Sequence, residues 1–182
     1  MRKFIYKSVV ERLKKIRKEN GEYIIEEQLE PEEYESVIKH FDLWHNQLAY
    51  IEEGLPFELP AILIEFRPIQ WRHQGNAVRE AAVEIALHVL TWQNMPTSPV
   101  LSCGEESLQF LDLLTGINRA LHRYAKADNK FAHDALTAVQ SVTDNDFWEI
   151  RHDIEVFSCH VQDASAMLEP RTIKKPSIKI QT

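Results

Sequence analysis

Phe4, Ile5, Val9, Val10, Leu13 and Ile16 recur at helical spacing with cations opposite them, and the pattern stops near Asn20-Gly21. An amphipathic helix is expected to open the chain. Tyr23, Ile24 and Ile25 suit a short strand or a loop, and Pro31 then opens a short helix expected to reach about His40. From Phe41 to Leu59 the aromatic residues Phe41, Trp44, Tyr50 and Phe57 are punctuated by Gly54, Pro56 and, just beyond, Pro60. That segment reads as loop around one short strand.

Ala61 to Trp71 alternates, with Ile62, Ile64 and Phe66 on one face against Glu65, Arg67, Ile69 and Trp71 on the other, which predicts a strand. Pro68 places it at an edge or at a bulge, because proline cannot donate to a ladder. His73-Gln74-Gly75-Asn76 connects to residues 77 to 92. There Ala81, Ala82, Glu84 and Ala86 suit a helix, whereas Val83, Ile85, Leu87 and Val89 alternate as a strand does. A strand that turns at Gly75 needs a neighbour, so the second reading is adopted and a long hairpin results.

Met95 to Gly104 reads as loop. Glu105-Glu106 then charge the first turn of a long helix whose stripe is Leu108, Leu111, Leu114, Ile117, Leu121 and Tyr124, closing on Arg119, His122, Arg123 and Lys126. Leu136–Val142 and Trp148–Val161 form a second hairpin across Thr143-Asp144-Asn145-Asp146. The expected fold is α+β: a mostly antiparallel sheet of two hairpins packed on a long central helix, with an N-terminal helix. It occupies residues 1–163 as a single domain, and residues 164–182, with Ile173, Ile178 and Ile180 alternating among charges, form an extended C-terminal arm.

Composition supports one ordinary core: 182 residues, 44% hydrophobic, with five glycines. Two cysteines, Cys103 and Cys159, are too few for a disulfide framework and point to a reducing compartment. Glu11, Arg12, Lys14 and Lys15 interrupt any export signal at the start, and no apolar run approaches the roughly 20 residues of a membrane helix. The net charge of −7 disfavours general nucleic-acid binding. Its distribution is uneven. Residues 19–35 hold eight glutamates and no lysine or arginine, while Arg2, Lys3, Lys7, Arg12, Lys14, Lys15, Arg17 and Lys18 open the chain and Arg171, Lys174, Lys175 and Lys179 close it. This is solvated surface, or a device by which the basic tail of one copy meets the acidic face of the next.

Eight histidines (40, 45, 73, 88, 122, 133, 152, 160) include no His-Glu-x-x-His, and there is no Cys-x-x-Cys. His88 and His152, on expected strands, read as partly buried or interface residues rather than ligands. No Gly-x-Ser-x-Gly or glycine-rich phosphate loop is present, and Cys103, just before the long helix, reads as incidental. No enzymatic activity, cofactor or metal is expected. Tryptophan and arginine anchor interfaces disproportionately, so Trp71, Arg72, Trp92 and Trp148, together with Lys174, Lys175 and Ile178 of the arm, are the expected subunit-contact residues.

The order of elements resembles the tail-terminator and tail-completion (neck) proteins of tailed bacteriophages. The stretches that carry the resemblance are Ser8-Val9-Val10-Glu11-Arg12-Leu13, Pro60-Ala61-Ile62-Leu63-Ile64-Glu65-Phe66, Val83-Glu84-Ile85-Ala86-Leu87-His88-Val89, and Thr143-Asp144-Asn145-Asp146 running into Glu155-Val156-Phe157. The resemblance implies a non-enzymatic homo-oligomeric ring, commonly a hexamer, made in the bacterial cytoplasm and resident in the virion. Such a ring caps the tail tube, joins it to the head and its connector proteins, and lets DNA pass without reading it. The competing expectation is an acidic monomeric or dimeric module that binds a host protein or mimics nucleic acid. A histidine-dependent metalloenzyme ranks last.

Overall fold

The structure, a computed structural model, describes residues 1–28, 34–49, 56–75, 77–92, 108–144 and 150–165. Helix α1 (Arg2–Leu13) is followed by strands β1 (Ile16–Glu19), β2 (Glu22–Ile25), β3 (His40–Leu43), β4 (Ala61–Phe66), β5 (Arg72–Gly75) and β6 (Val78–Trp92). Helix α2 (Gln109–Leu121) precedes β7 (Lys126–Ala127), β8 (Phe131–His133), β9 (Thr137–Asp144) and β10 (Ile150–Asp163).

This overturns the expected α+β arrangement of antiparallel hairpins laid on a long central helix. The chain is mostly β, with two helices among the described residues and a curled mixed sheet. The reason lies in β6. From Ile85 to Thr91 every residue is buried, so both faces of the strand are covered and the core is organised around a strand instead of a helix. β6 and β10 pair antiparallel from Arg79↔Asp163 to Trp92↔Ile150, forming the spine of the molecule. β4 and then β3 lie on the far side of β6, with β3 and β4 parallel, and β8 and β7 continue beyond β10. β5 pairs with the start of β6, and β9 pairs with β10.

Each remaining difference has a local cause. The opening helical pattern ends at Leu13 because Ile16 is buried in β1, and Asn20 (φ 51°) and Gly21 (φ 89°) form a two-residue hairpin loop between the paired Glu19 and Glu22. Two successive positive φ values are what an Asn-Gly hairpin turn supplies. Residues 34–39 of the helix expected from Pro31 to His40 are not helical, and His40 begins β3; residues 31–33 lie outside the described residues. The strand expected over 61–71 stops at Phe66, just before Pro68. α2 stops at Leu121 although the apolar stripe continues to Tyr124. Arg123 turns to φ 65°, its N–H donates to the Leu136 carbonyl, and the Leu136 N–H donates to the Tyr124 carbonyl, so the chain is drawn towards the sheet.

Alternation along the central strands divides the core in two. Ile62, Ile64, Val83, Ile85, Leu87, Val89, Phe157, Cys159 and Val161 pack with Ile5, Val9 and Leu13 of α1 and Leu113, Ile117 and Leu121 of α2. On the opposite face, Ala61, Leu63, Leu90 and Ile150 are covered by Leu48 and Leu59, with Trp44 and Phe57 against them. Gly116 sets how closely α2 approaches the β1–β2 hairpin, since a Cβ there would stand 3.1 Å from the Tyr23 Cβ. Gly116→Val is therefore expected to lower stability by about 1–3 kcal/mol through overpacking, read from the urea midpoint.

Candidate functional site

Two places on this framework collect side chains that packing alone does not call for. The first lies under the segment around Trp44. His88, in the middle of β6, and His152, near the start of β10, stand diagonally on the same sheet face because His88 pairs with Ile154 and His152 with Leu90. The two residues are 4% and 3% exposed, which makes them core residues. Nδ1 of His88 lies 2.9 Å from Nε2 of His152, with the rings 20° from parallel. The Trp44 ring covers His88 at 3.8 Å and 3°, and also overlaps His152 at 5.7 Å.

A carboxylate closes each end of this line. Glu65 Oε2 of β4 is 3.4 Å from His88 Nε2, with Arg67 Nε 3.6 Å behind it. Asp144 Oδ2 of β9 is 3.5 Å from His152 Nδ1, a nitrogen that makes no hydrogen bond. Burial is the main force on both rings. It holds His152 below the ordinary histidine value against the pull of Asp144 and Asp153, and, with the neighbouring His152, holds His88 down at about 4 against Glu65.

A third histidine is also buried. His133 Nδ1 lies 2.9 Å from the Asp134 carbonyl, so it carries the hydrogen and donates it; Nε2 is then an acceptor for the Ser8 hydroxyl at 2.8 Å. A hydroxyl donating to an imidazole is the geometry of an activated nucleophile. Here Ser8 is 1% exposed on α1, and the Phe4 and Tyr124 rings pack around the imidazole, so a substrate has no approach. The pair ties α1 to β8. Cys159 is buried, and burial followed by Asp134 pushes its thiol up to about 12, so it carries no thiolate at neutral pH. Cys103 lies outside the described residues. Among the described residues no cluster of three or more His, Cys, Asp or Glu side chains is arranged to hold a metal ion.

The second place is the rim of the sheet. β9 is exposed along its length except at Asp144, and no described strand pairs with its outer edge. A bulge opposite Val156 and Phe157 leaves Val139 without a partner in the register; Val139 is 54% exposed and Val142 41%. At the opposite rim Leu43 of β3 is 48% exposed.

Of the residues expected at subunit contacts, Trp71 is half-buried with the Arg79 guanidinium 4.5 Å above its ring, and Arg72 is exposed at the start of β5. Trp92, 53% exposed, is the last residue of β6 and lies at the other end of that strand. The structure does not gather them into one patch. Trp148, Lys174, Lys175 and Ile178 lie outside the described residues, as does the arm beyond Ser165.

The acidic stretch is less free than its composition implies. Arg17 pairs with Glu19 and Glu26, Arg12 and Lys15 pair with Glu27, and Lys39 pairs with Glu35. Arg12, Lys15 and Arg17 of the basic opening are therefore answered within the same chain.

Trp44 and the two sheet edges were missed from sequence. Trp44 sat in a segment read as loop, and its only signal was an aromatic in a run rich in them. No described helix is long and apolar enough to cross a membrane. No protein-family model matches the chain, and no curated protein matches it at a significant level.

Proposed function

We propose that the chain is a structural subunit that joins copies of itself into a closed ring, of the kind formed by the tail-terminator and tail-completion proteins of tailed bacteriophages. In that role it caps a tail tube and joins it to the head. The observation that carries the reading is the β9 edge that no described strand pairs, with Val139 and Val142 exposed, because an unpaired strand with apolar side chains is a template for a neighbouring chain. The opposite rim is a different surface, β3 with Leu43, so contact between unlike edges is heterologous and can close a ring. The stretches that resemble the phage proteins fall largely on α1, β4, β6, β10 and the end of β9, with Asn145-Asp146 outside the described residues, which also supports the reading.

The test is particle mass by sedimentation together with negative-stain imaging. Discrete rings are expected from the full chain. Val139→Lys/Val142→Lys is expected to give monomers with an unchanged circular dichroism spectrum, since charge on an edge strand opposes pairing. A monomer at high concentration from the unmodified chain would remove the ring reading in favour of a monomeric binding module. Rings that survive the double substitution would leave assembly standing and remove β9 as the joint.

A further inference from the structure

The line Glu65–His88–His152–Asp144 has three gaps, each short enough or nearly short enough for a hydrogen bond: 3.4 Å, 2.9 Å and 3.5 Å. Two neutral imidazoles bring two N–H groups. Three gaps and two hydrogens leave one gap empty. If His152 Nε2 donates to His88 Nδ1, then His88 Nε2–H faces Glu65 and His152 Nδ1 is bare opposite Asp144. If His88 Nδ1 donates instead, His152 Nδ1–H faces Asp144 and the bare nitrogen faces Glu65. The shorter distance at Glu65 and the unpaired His152 Nδ1 favour the first arrangement.

One added proton fills the third gap. It adds to His152 Nδ1 and donates to Asp144, and the central hydrogen passes from His152 Nε2 to His88 Nδ1, so His88 then carries both hydrogens and donates to Glu65 and to His152 Nε2. We infer that Glu65, His88, His152 and Asp144 form a built site for one proton, covered by Trp44, that links the two sides of the central ladder. A second proton does not fit, because His88 Nδ1 and His152 Nε2 would then both bear hydrogens across the same 2.9 Å. The rings must part, and Trp44, stacked on both, loses its seat. The site is an acid-operated latch on the segment that carries Trp44.

The surrounding charges agree with a limit of one. On the face of the rings stand Glu65, with Arg67 behind it, and Asp144; on the other face of β10, Asp153 is already held by Arg151 at 2.8 Å and by Thr143 at 2.6 Å. Two carboxylates, one of them shared with Arg67, favour one cation between them more than two. The stacked indole face also favours a single cationic ring. The inference does not depend on whether the chain assembles into rings.

Imidazole nitrogen NMR on the full chain tests this without first acidifying it. At neutral pH both rings are expected in the same tautomer, Nε2–H, because one hydrogen must occupy the central gap; unlike tautomers would put none or two there and overturn the inference. On acidification, the nitrogens of both rings are expected to move together in one first step, with circular dichroism unchanged and the Trp44 indole signal following only in a second. In His152→Gln the His88 transition is expected to shift, since the ring that shares the central hydrogen with it is gone. Independent titration of the two rings, with His88 indifferent to His152→Gln, would equally overturn it. Loss of the fold before any ring takes up a proton would overturn the one-proton site as well.

Discussion

Phe157→Ala is expected to destabilise the protein by about 3–5 kcal/mol, seen as a fall in the urea midpoint with little change in slope. Phe157 is fully buried in β10, paired with Ile85 of β6 and Ala138 of β9, and it faces the cluster shared with both helices. Its removal takes away the transfer free energy of a large ring and opens a cavity that two packed helices cannot close. A domain of this kind typically has about 5–15 kcal/mol in hand, so much of the population would unfold near the lower end of that range. Phe157→Leu, which keeps most of the volume, is expected to lose under about 1.5 kcal/mol. Equal losses from the two substitutions would contradict the cavity account.

Acidification is the second large effect. His88, His133 and His152 are all held below their ordinary value of 6.5 in the folded chain, chiefly by burial, so the folded state binds fewer protons than the unfolded one. Their contribution is complete above 6.5 and is lost as pH falls below it, down to about 4 for His88. Glu155 acts in the opposite sense. Burial raises its carboxyl, against hydrogen bonds from Ser141 and Asn118, so its protonation offsets part of the loss at the acid end. Urea midpoints taken from neutral pH downwards should fall steeply, and His88→Gln should flatten the fall. A midpoint constant across that range would show that the fold does not hold these rings below their ordinary value.

The legible part of the fold was the part with unbroken period. β6 was readable because Val83, Ile85, Leu87 and Val89 alternate, and the β9–β10 hairpin because Ile150, His152, Ile154 and Val156 do. The misjudged parts turn on local chemistry or distant pairing. Asn20-Gly21 ended a helical pattern in the sequence reading, although the same dipeptide is a strong hairpin signal. The parallel β3–β4 contact joins residues distant in the chain, such as His40 and Ala61, and β7–β8 is too short to show a period. In the histidine pair, each residue could be singled out as buried, but their contact is 64 residues apart in the chain and rests on a diagonal register that no local pattern encodes.

The β6–β10 ladder has a bearing on how the protein is made. Arg79 meets Asp163 across 84 residues, and β6 from Arg79 to Trp92 has its β10 partners between Ile150 and Asp163. During synthesis β6 therefore leaves the ribosome with one face and one edge unsatisfied, and it waits until β10 has followed. Pairings of such long range form slowly and expose apolar strand in the interval. Nascent chains halted before residue 150 should engage holding chaperones, and those halted beyond residue 163 should release them.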